Sequence, residues 1–391
     1  MDQSLPMNSQ SFNDHSPGRL EPIDGGLLAF VPSPLPATAS FPDRLWPLLA
    51  EVKQRLGLLE GVGRSLSNPG LLLRPLQTRE ALQSTRLEGT YITAKEFLLS
   101  DLLGAEAKTN DPNVDDWQEV YNCRKALEEG TASELPLSLR LIRNLHTTLM
   151  TGVRRGDSTP GRFRTAQVAI GDRIRPRFVP PPPQQISDCL DQFEKYMQSP
   201  GPFDPLVHCF LCHYQFETIH PFQDGNGRVG RLLLGLMIQR HCGLSKPWVL
   251  LSDVLERQRE AYCDKMLRVS MHGEWAEWIE FCLEATRMQA DQAIQRCERL
   301  RTLREKLTAS VNACKGDARL HAILDRLFQS PYVAVTEVRD MLGVTYPTAK
   351  ADCERLVSVG ILMPLPTMPQ LTYACIEIFN AVYEDIGDAV Q

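Results

Sequence analysis

Apolar residues recur at three- and four-residue spacing through most of this chain, the period of a helix with one buried face. The spacing predicts helices over Asp43–Leu56, Leu76–Leu87 and Ala94–Leu103, the last opened by Thr93 as N-cap. Two more are predicted near 113–129 and 137–150, where Leu141, Ile142, Leu145 and Leu149 share a face. Between Arg162 and Pro183 the period changes. Phe163, Gln167, Val168 and Ile170 precede Gly171-Asp172, then Phe178 and Val179 run into four prolines, so a small surface hairpin is expected. Helical spacing resumes near 184–197, 203–219, 228–241, 254–268 and 273–300.

From about 317 the grammar differs. A helix near 318–329 is followed by Val335–Leu342, the turn Gly343-Val344-Thr345, a helix near 347–359 stopping at Gly360, and two short strands, Ile361–Met363 and Leu371–Ala374. That order is a winged helix-turn-helix. Residues 1–40, rich in Ser, Pro, Asn and Gly, read as a flexible tail. The expectation is an all-α protein with a small β-hairpin flap: an N-terminal helical region over 41–110, a helical core over 111–300 and a winged-helix domain over 301–391.

Composition narrows the function classes. The 391 residues suffice for two or three domains, and the formal charge of −6 offers no global basic field for nucleic acid or an anionic membrane. The longest apolar runs, such as Leu232–Ile238, fall far short of the roughly 20 residues that span a bilayer, so no membrane partner is expected. The eleven cysteines, an odd number, and the absence of a basic-then-apolar leader suit reduced thiols in a cytoplasmic protein.

Chemistry concentrates in HPFQDGNGRVGR, His220 to Arg231, after the apolar helix PLVHCFLCHYQFETI. Gly225 and Gly227 flank Asn226 and let backbone N–H groups wrap an anion at a helix N-terminus, where the dipole favours phosphate. Arg228 and Arg231 offer guanidiniums for phosphoryl oxygens, and Asp224 a hard oxygen for Mg²⁺. His220 is the group whose ordinary pKa, about 6.5, suits a general base. Together they point to phosphoryl or nucleotidyl transfer.

Other readings compete. The G-x-G-x-x-G at 225–230 lacks the preceding strand of a dinucleotide fold. Cys209-Phe210-Leu211-Cys212-His213 spells a haem attachment site but lies in an apolar helix, where buried free cysteines are expected. His213, Glu217 and His220 share a helical face that could hold Zn²⁺ for a hydrolase, although Pro221 ends the helix and the spacing is not H-E-x-x-H. His213 and Glu217 are expected as buried, hydrogen-bonded supports instead.

The segment HPFQDGNGRVGR resembles the signature HxFx(D/E)GNGRxxR of the Fic (filamentation induced by cAMP) family at every signature position. GRFRTAQVAIG with RFVPPPP, at 161–183, is similar to the family's target-docking flap, and LERQREAYCDKM with WAEWIEFCLEA to its closing helices. Ser84-Thr85-Arg86-Leu87-Glu88-Gly89 matches the inhibitory motif (S/T)xxxE(G/N) of the N-terminally inhibited class. The resemblance covers about residues 30–300 and implies the Fic fold and AMPylation, transfer of AMP from ATP to a Tyr, Thr or Ser hydroxyl of a target protein. It implies His220 as base, Asp224 as Mg²⁺ ligand, the 225–228 loop around the α- and β-phosphates, Arg231 at the γ-phosphate and Phe222 as an anchor. Glu88, with Ser84, would seat a carboxylate on Arg231 and block ATP alignment, although Gly89 also reads as a plain helix C-cap. Gln167, Val168, Ala169 and Ile170 would pair with an extended target loop, and Tyr262 would touch the adenine.

The same signature also fits relatives that transfer other phosphate-containing groups or remove AMP. Self-modification and a homodimer are compatible with it. The span 316–391 carries five basic against ten acidic residues, so the winged helix is expected to bind nucleic acid weakly or not at all. An adenylyltransferase, a metal-dependent hydrolase and a DNA-binding regulator are the three classes carried forward.

Overall fold

The computed structural model describes residues 9–35, 41–65, 70–103, 114–153, 159–171, 176–199, 201–314, 316–366 and 368–384. A hairpin within residues 9–35 corrects the expected tail. Strands β1 (Gly18–Pro22) and β2 (Leu28–Pro32) form an antiparallel hairpin, with Leu20 opposite Phe30. The Ser/Pro/Gly content hides this pairing, because the prolines stand at strand ends, where a missing donor costs no ladder bond. Phe30 is fully buried, stacks on Phe12 and donates its N–H to Val179 O at 2.8 Å, tying the hairpin to the flap. Residues 1–8 and 36–40 of the expected tail lie outside the described residues.

The body is helical, as the periodicity predicts. Helices α1 (Leu45–Ser65), α2 (Gly70–Leu87) and α3 (Ala94–Leu103) precede α4 (Val114–Ala132) and α5 (Leu139–Met150). Thr93 opens α3 through a reciprocal box: its hydroxyl accepts Glu96 N–H at 3.1 Å, and the Glu96 carboxylate accepts Thr93 N–H at 2.9 Å. The flap strands β3 (Ile170–Gly171) and β4 (Pro176–Phe178) pair antiparallel. The expected turn residue Asp172 is not among the described residues. Next come α6 (Ile186–Gln198), α7 (Pro205–Ile219) and α8 (Asn226–His241). Every α7 residue from Leu206 to Ile219 is buried; a helix apolar on all sides belongs in the centre, and α8 packs along it.

Short α9 (Ser252–Arg257) and α10 (Arg259–His272) lead to α11 (Trp275–Ala313). This helix runs through the expected boundary at 300/301: no Gly or Pro interrupts 275–313, and Leu303, Leu307 and Val311 continue the apolar stripe. Beyond it come α12 (Ala318–Gln329), β5 (Tyr332–Ala334), α13 (Val335–Leu342), α14 (Tyr346–Ser358), β6 (Met363–Leu365) and β7 (Thr372–Ala374), with sheet order β5-β7-β6, all antiparallel. A final helix, α15 (Ile376–Tyr383), not anticipated from sequence, returns to the body: Arg79 Nη1 of α2 donates to Val382 O at 3.1 Å. A cleft of about 870 Å³ lined by mixed charges, among them Asp101, Arg124, Arg326 and Glu337, lies between α4 and this C-terminal unit and contains none of the signature residues.

Candidate active site

The signature loop joins the end of α7 to the start of α8. His220 caps α7 in the left-handed region, at φ 50°, a conformation that costs a non-glycine residue on the order of 1–2 kcal/mol. The surroundings hold it there. His220 N–H donates to Phe216 O at 3.0 Å, and Arg164 of the flap base donates from Nε to His220 O at 2.8 Å and from its backbone N–H to Pro221 O at 2.9 Å. His220 Nδ1–H donates to Glu217 O at 3.2 Å. A carbonyl only accepts, so the proton sits on Nδ1 and Nε2 keeps its lone pair. Burial pushes the imidazole down to about 4, with the Arg164 charge acting in the same direction, so it is neutral near pH 7.

The loop closes on itself through Asn226, whose side-chain amide donates to Phe222 O at 2.8 Å and accepts Phe222 N–H at 2.7 Å. Phe222 is fully buried, in the anchoring place the resemblance implies. Gly225 takes φ +76° as N-cap of α8, a region that glycine enters without penalty. By position, the N–H groups of Asn226, Gly227 and Arg228 have no helical partner, and they make the first turn of α8 an anion site.

A carboxylate already stands there. Arg231 donates from Nη2 to Glu88 Oε1 at 2.7 Å and to Ser84 O at 2.8 Å, and from Nε to Ser84 Oγ at 3.0 Å. A Cβ on Gly227 would collide with Glu88 Oε1, so the loop can approach this carboxylate only because residue 227 lacks a side chain. Burial opposes ionisation of Glu88, yet the Arg231 charge and hydrogen bond hold it below the usual carboxylate range. Gly89, at φ +91°, ends the helix at the same time, so the C-cap and the Arg231 contact coexist.

Several residues stand elsewhere than the sequence implies. Arg228 is 3% exposed; its Nη1 donates to Glu119 Oε2 of α4 at 3.1 Å and its Nη2 lies 3.9 Å from the Asp224 carboxylate, so the guanidinium ties α8 and the loop to α4. Tyr262 is 4% exposed, and its hydroxyl meets His213 Nε2 at 2.9 Å; the ring is packed in the core and presents almost no face to an adenine. Glu217 is buried, as expected, but its Oε1 has no hydrogen-bond partner, and burial raises its carboxyl to about 7. Among the described residues no cluster of three His, Cys, Asp or Glu could hold a metal ion. In the flap, Ile170 alone of the four docking residues joins a strand, while Gln167, Val168 and Ala169 run beside it with Gln167 Nε2 donating to Pro180 O at 3.0 Å.

Asp224 has a 46% exposed carboxylate that accepts Gly225 N–H at 2.6 Å. One exposed carboxylate beside an anion site fits Mg²⁺, which takes one or two protein oxygens together with substrate phosphates and water. Glu119, His146 and Arg164 were not singled out in the sequence. They reach the loop from α4, α5 and the flap base, and no local motif marks them.

Comparison with known proteins agrees with this geometry. The Fic/DOC family N-terminal model matches residues 46–132 and the Fic/DOC family model residues 136–238. A protein adenylyltransferase Fic of Aedes aegypti is 24% identical over 237 residues, 58% of this chain and 44% of that protein. Its namesake in Drosophila erecta is 26% identical over 213 residues, 53% of this chain and 40% of that protein. The chain therefore spans less than half the length of these curated relatives. Among solved structures, a Fic family protein from Desulfovibrio desulfuricans superposes with a TM-score of 0.55 at 20% identity, covering 86% of this chain and 97% of that one. A Fic domain containing signaling protein from Bacteroides thetaiotaomicron gives 0.50 at 19%, covering 63% and 97%. Both family models fall on the helices that carry the loop and its Glu88 contact, so residues 46–132 and 136–238 of this chain are similar to the two parts of the Fic/DOC family.

Proposed function

We propose that this protein transfers AMP from ATP to a Tyr, Thr or Ser hydroxyl of target proteins, itself included, and that Glu88 holds the site inhibited. The observation that carries this reading is the Glu88–Arg231 pair at 2.7 Å over Gly227: a carboxylate occupies the mouth of a phosphate-shaped helix N-terminus. The relatives named protein adenylyltransferase support the reaction class.

In the reaction, the loop N–H groups hold the α- and β-phosphates and Arg231, freed from Glu88, meets the γ-phosphate. The target hydroxyl oxygen forms a bond to the α-phosphorus, the bond to the pyrophosphate oxygen breaks in line, and the hydroxyl proton passes to His220 Nε2. Asp224 would hold Mg²⁺ together with the phosphates, and the ion would supply charge neutralisation for the leaving pyrophosphate. The flap edge from Gln167 to Ile170 lines up an extended target segment by main-chain contact. The C-terminal unit is a winged helix that contacts protein more readily than duplex, and a homodimer is compatible with the fold. Eleven unpaired cysteines favour the reducing cytoplasm.

Incubation with ATP labelled at the α-phosphate tests the reading. Glu88→Gly should incorporate label, into itself or added targets, at least about tenfold faster than the parent, roughly 1.4 kcal/mol of barrier. An unchanged rate in a folded Glu88→Gly protein overturns inhibition, and absence of label in both overturns AMP transfer. Label lost from a pre-modified target, with none incorporated, would assign AMP removal to the same site.

A further inference from the structure

His146 of α5 has no task in the chemistry above, yet it is held as firmly as any signature residue. It is 1% exposed, and its ring lies parallel to that of Phe222, centroids 3.8 Å apart at 3°. Gly161 N–H donates to its Nδ1 at 2.8 Å. A ring nitrogen that accepts carries no proton, so the proton is on Nε2, which donates to Asp224 O at 3.1 Å. One ring therefore joins the flap base, the loop anchor and the peptide that precedes α8.

The Asp224 contact has a directional consequence. In a trans peptide the C=O and N–H point opposite ways. Drawing the Asp224 carbonyl toward α5 turns the Gly225 N–H away from it, to the side where it now meets the Asp224 carboxylate at 2.6 Å. A Cβ on Gly225 would crowd Met150 Sδ at 2.9 Å and lie in ordinary contact with the His146 ring at 3.6 Å, so α5 packs directly on this peptide.

We propose that His146 is a positioning residue for nucleotide binding: through the Asp224 carbonyl it fixes the Asp224–Gly225 peptide, and with it the Asp224 carboxylate bonded to Gly225 N–H and the free N–H groups of Asn226, Gly227 and Arg228 that face the phosphates of ATP. This rests on the nucleotide-site reading given above. The role separates into parts that substitution can divide. Gln places a donor where Nε2 stands and loses the Gly161 acceptor, Asn keeps an acceptor for Gly161 and loses the Asp224 donor, and Phe keeps only the stack on Phe222.

His146→Gln, His146→Asn and His146→Phe, each in full-length Glu88→Gly protein, are compared by calorimetry with a non-hydrolysable ATP analogue and Mg²⁺, by label transfer, and by melting temperature. The Gln variant should keep nucleotide affinity within about threefold, whereas Asn and Phe should weaken it at least about tenfold, with KM for the protein target unchanged. Equal affinity in the Phe variant and the parent overturns the inference, as does a loss in Gln as large as in Asn. Losses that follow melting temperature across the three variants would assign His146 to packing alone. A Glu88→Gly parent that binds nucleotide yet transfers no label overturns the transfer reading while the affinity ranking still decides this one; a parent that binds none overturns both.

Discussion

At the scale of single residues, the base function of His220 depends on its backbone as much as on its ring. The left-handed turn at φ 50° lets the helix end and the phosphate loop begin within one residue, and the Nδ1–H contact to Glu217 O leaves Nε2 as the acceptor. Because burial lowers the imidazole to about 4, the base is already unprotonated across the neutral range. The charge of Glu88 acts to raise that value, so removing Glu88 does not bring it back up. Label transfer by Glu88→Gly should therefore stay within about twofold between pH 7.5 and 5.5, where a solvent-exposed histidine would lose roughly tenfold, and His220→Ala should abolish transfer with little change in melting temperature. An acid limb centred near 6.5 would show an imidazole as hydrated as in free solution. The contiguous part of this site was legible because twelve adjacent residues carry it. Its supports were not: Glu119 meets Arg228 across 109 residues of sequence and His146 meets Asp224 across 78, and no local spacing encodes such contacts.

At the scale of elements, periodicity was reliable where one face of a helix is buried and failed where another kind of partner decides. Leu141, Ile142, Leu145 and Leu149 form the buried side of α5 as their spacing predicts. The β1–β2 hairpin escaped because its order comes from Phe30 packing on Phe178 of the flap, an inter-element contact with no periodic signature. The expected bound at 300 falls inside α11, which has no Gly or Pro to stop it before Ala313. In the C-terminal unit the charge count is sharpened by geometry. Arg319 pairs with Asp317 and Asp352, Arg326 with Glu337, Arg339 with Asp340, Lys350 with Glu354, and Arg355 with Asp317 and Asp352. Each cation that would have to reach a DNA phosphate already has a carboxylate beside it, so counterion release has little to draw on. Titration of the full chain with random duplex at physiological salt should show binding weaker than about 1 μM, and tighter binding with a steep salt slope would mean that α14 presents its charges differently in solution.

At the scale of the whole molecule, histidines set the response to acid, His146 and His220 of the site and His208 and His213 of α7 among them. His146, His208 and His220 are lowered to about 4 and His213 to about 3, in each case chiefly by burial. A group lowered in the folded state is protonated first in the unfolded one, so between about 6.5 and 4 the unfolded chain binds more protons at these four positions and folding weakens as pH falls. Two buried carboxyls oppose this. Glu80, which accepts Ser252 N–H at 3.1 Å, and Glu217 are both raised to about 7 by burial, so they take up protons in the folded state first and strengthen folding as pH falls from about 7 toward 4.5. Near neutrality the two effects nearly cancel, because two half-protonated carboxyls in the folded state take up about as many protons as four histidines, each about a quarter protonated, in the unfolded one. Below about pH 6 the four histidines outweigh the two carboxyls, and protonation of Glu88 would add to the loss at lower pH. The melting temperature, followed at fixed ionic strength from pH 7.5 to 4.5, should be nearly level down to about 6.5 and then fall with increasing slope. A melting temperature that rises or stays level down to pH 5 would mean that the imidazoles are hydrated in solution, and with them the dry environment on which the tautomers of His146 and His220 depend.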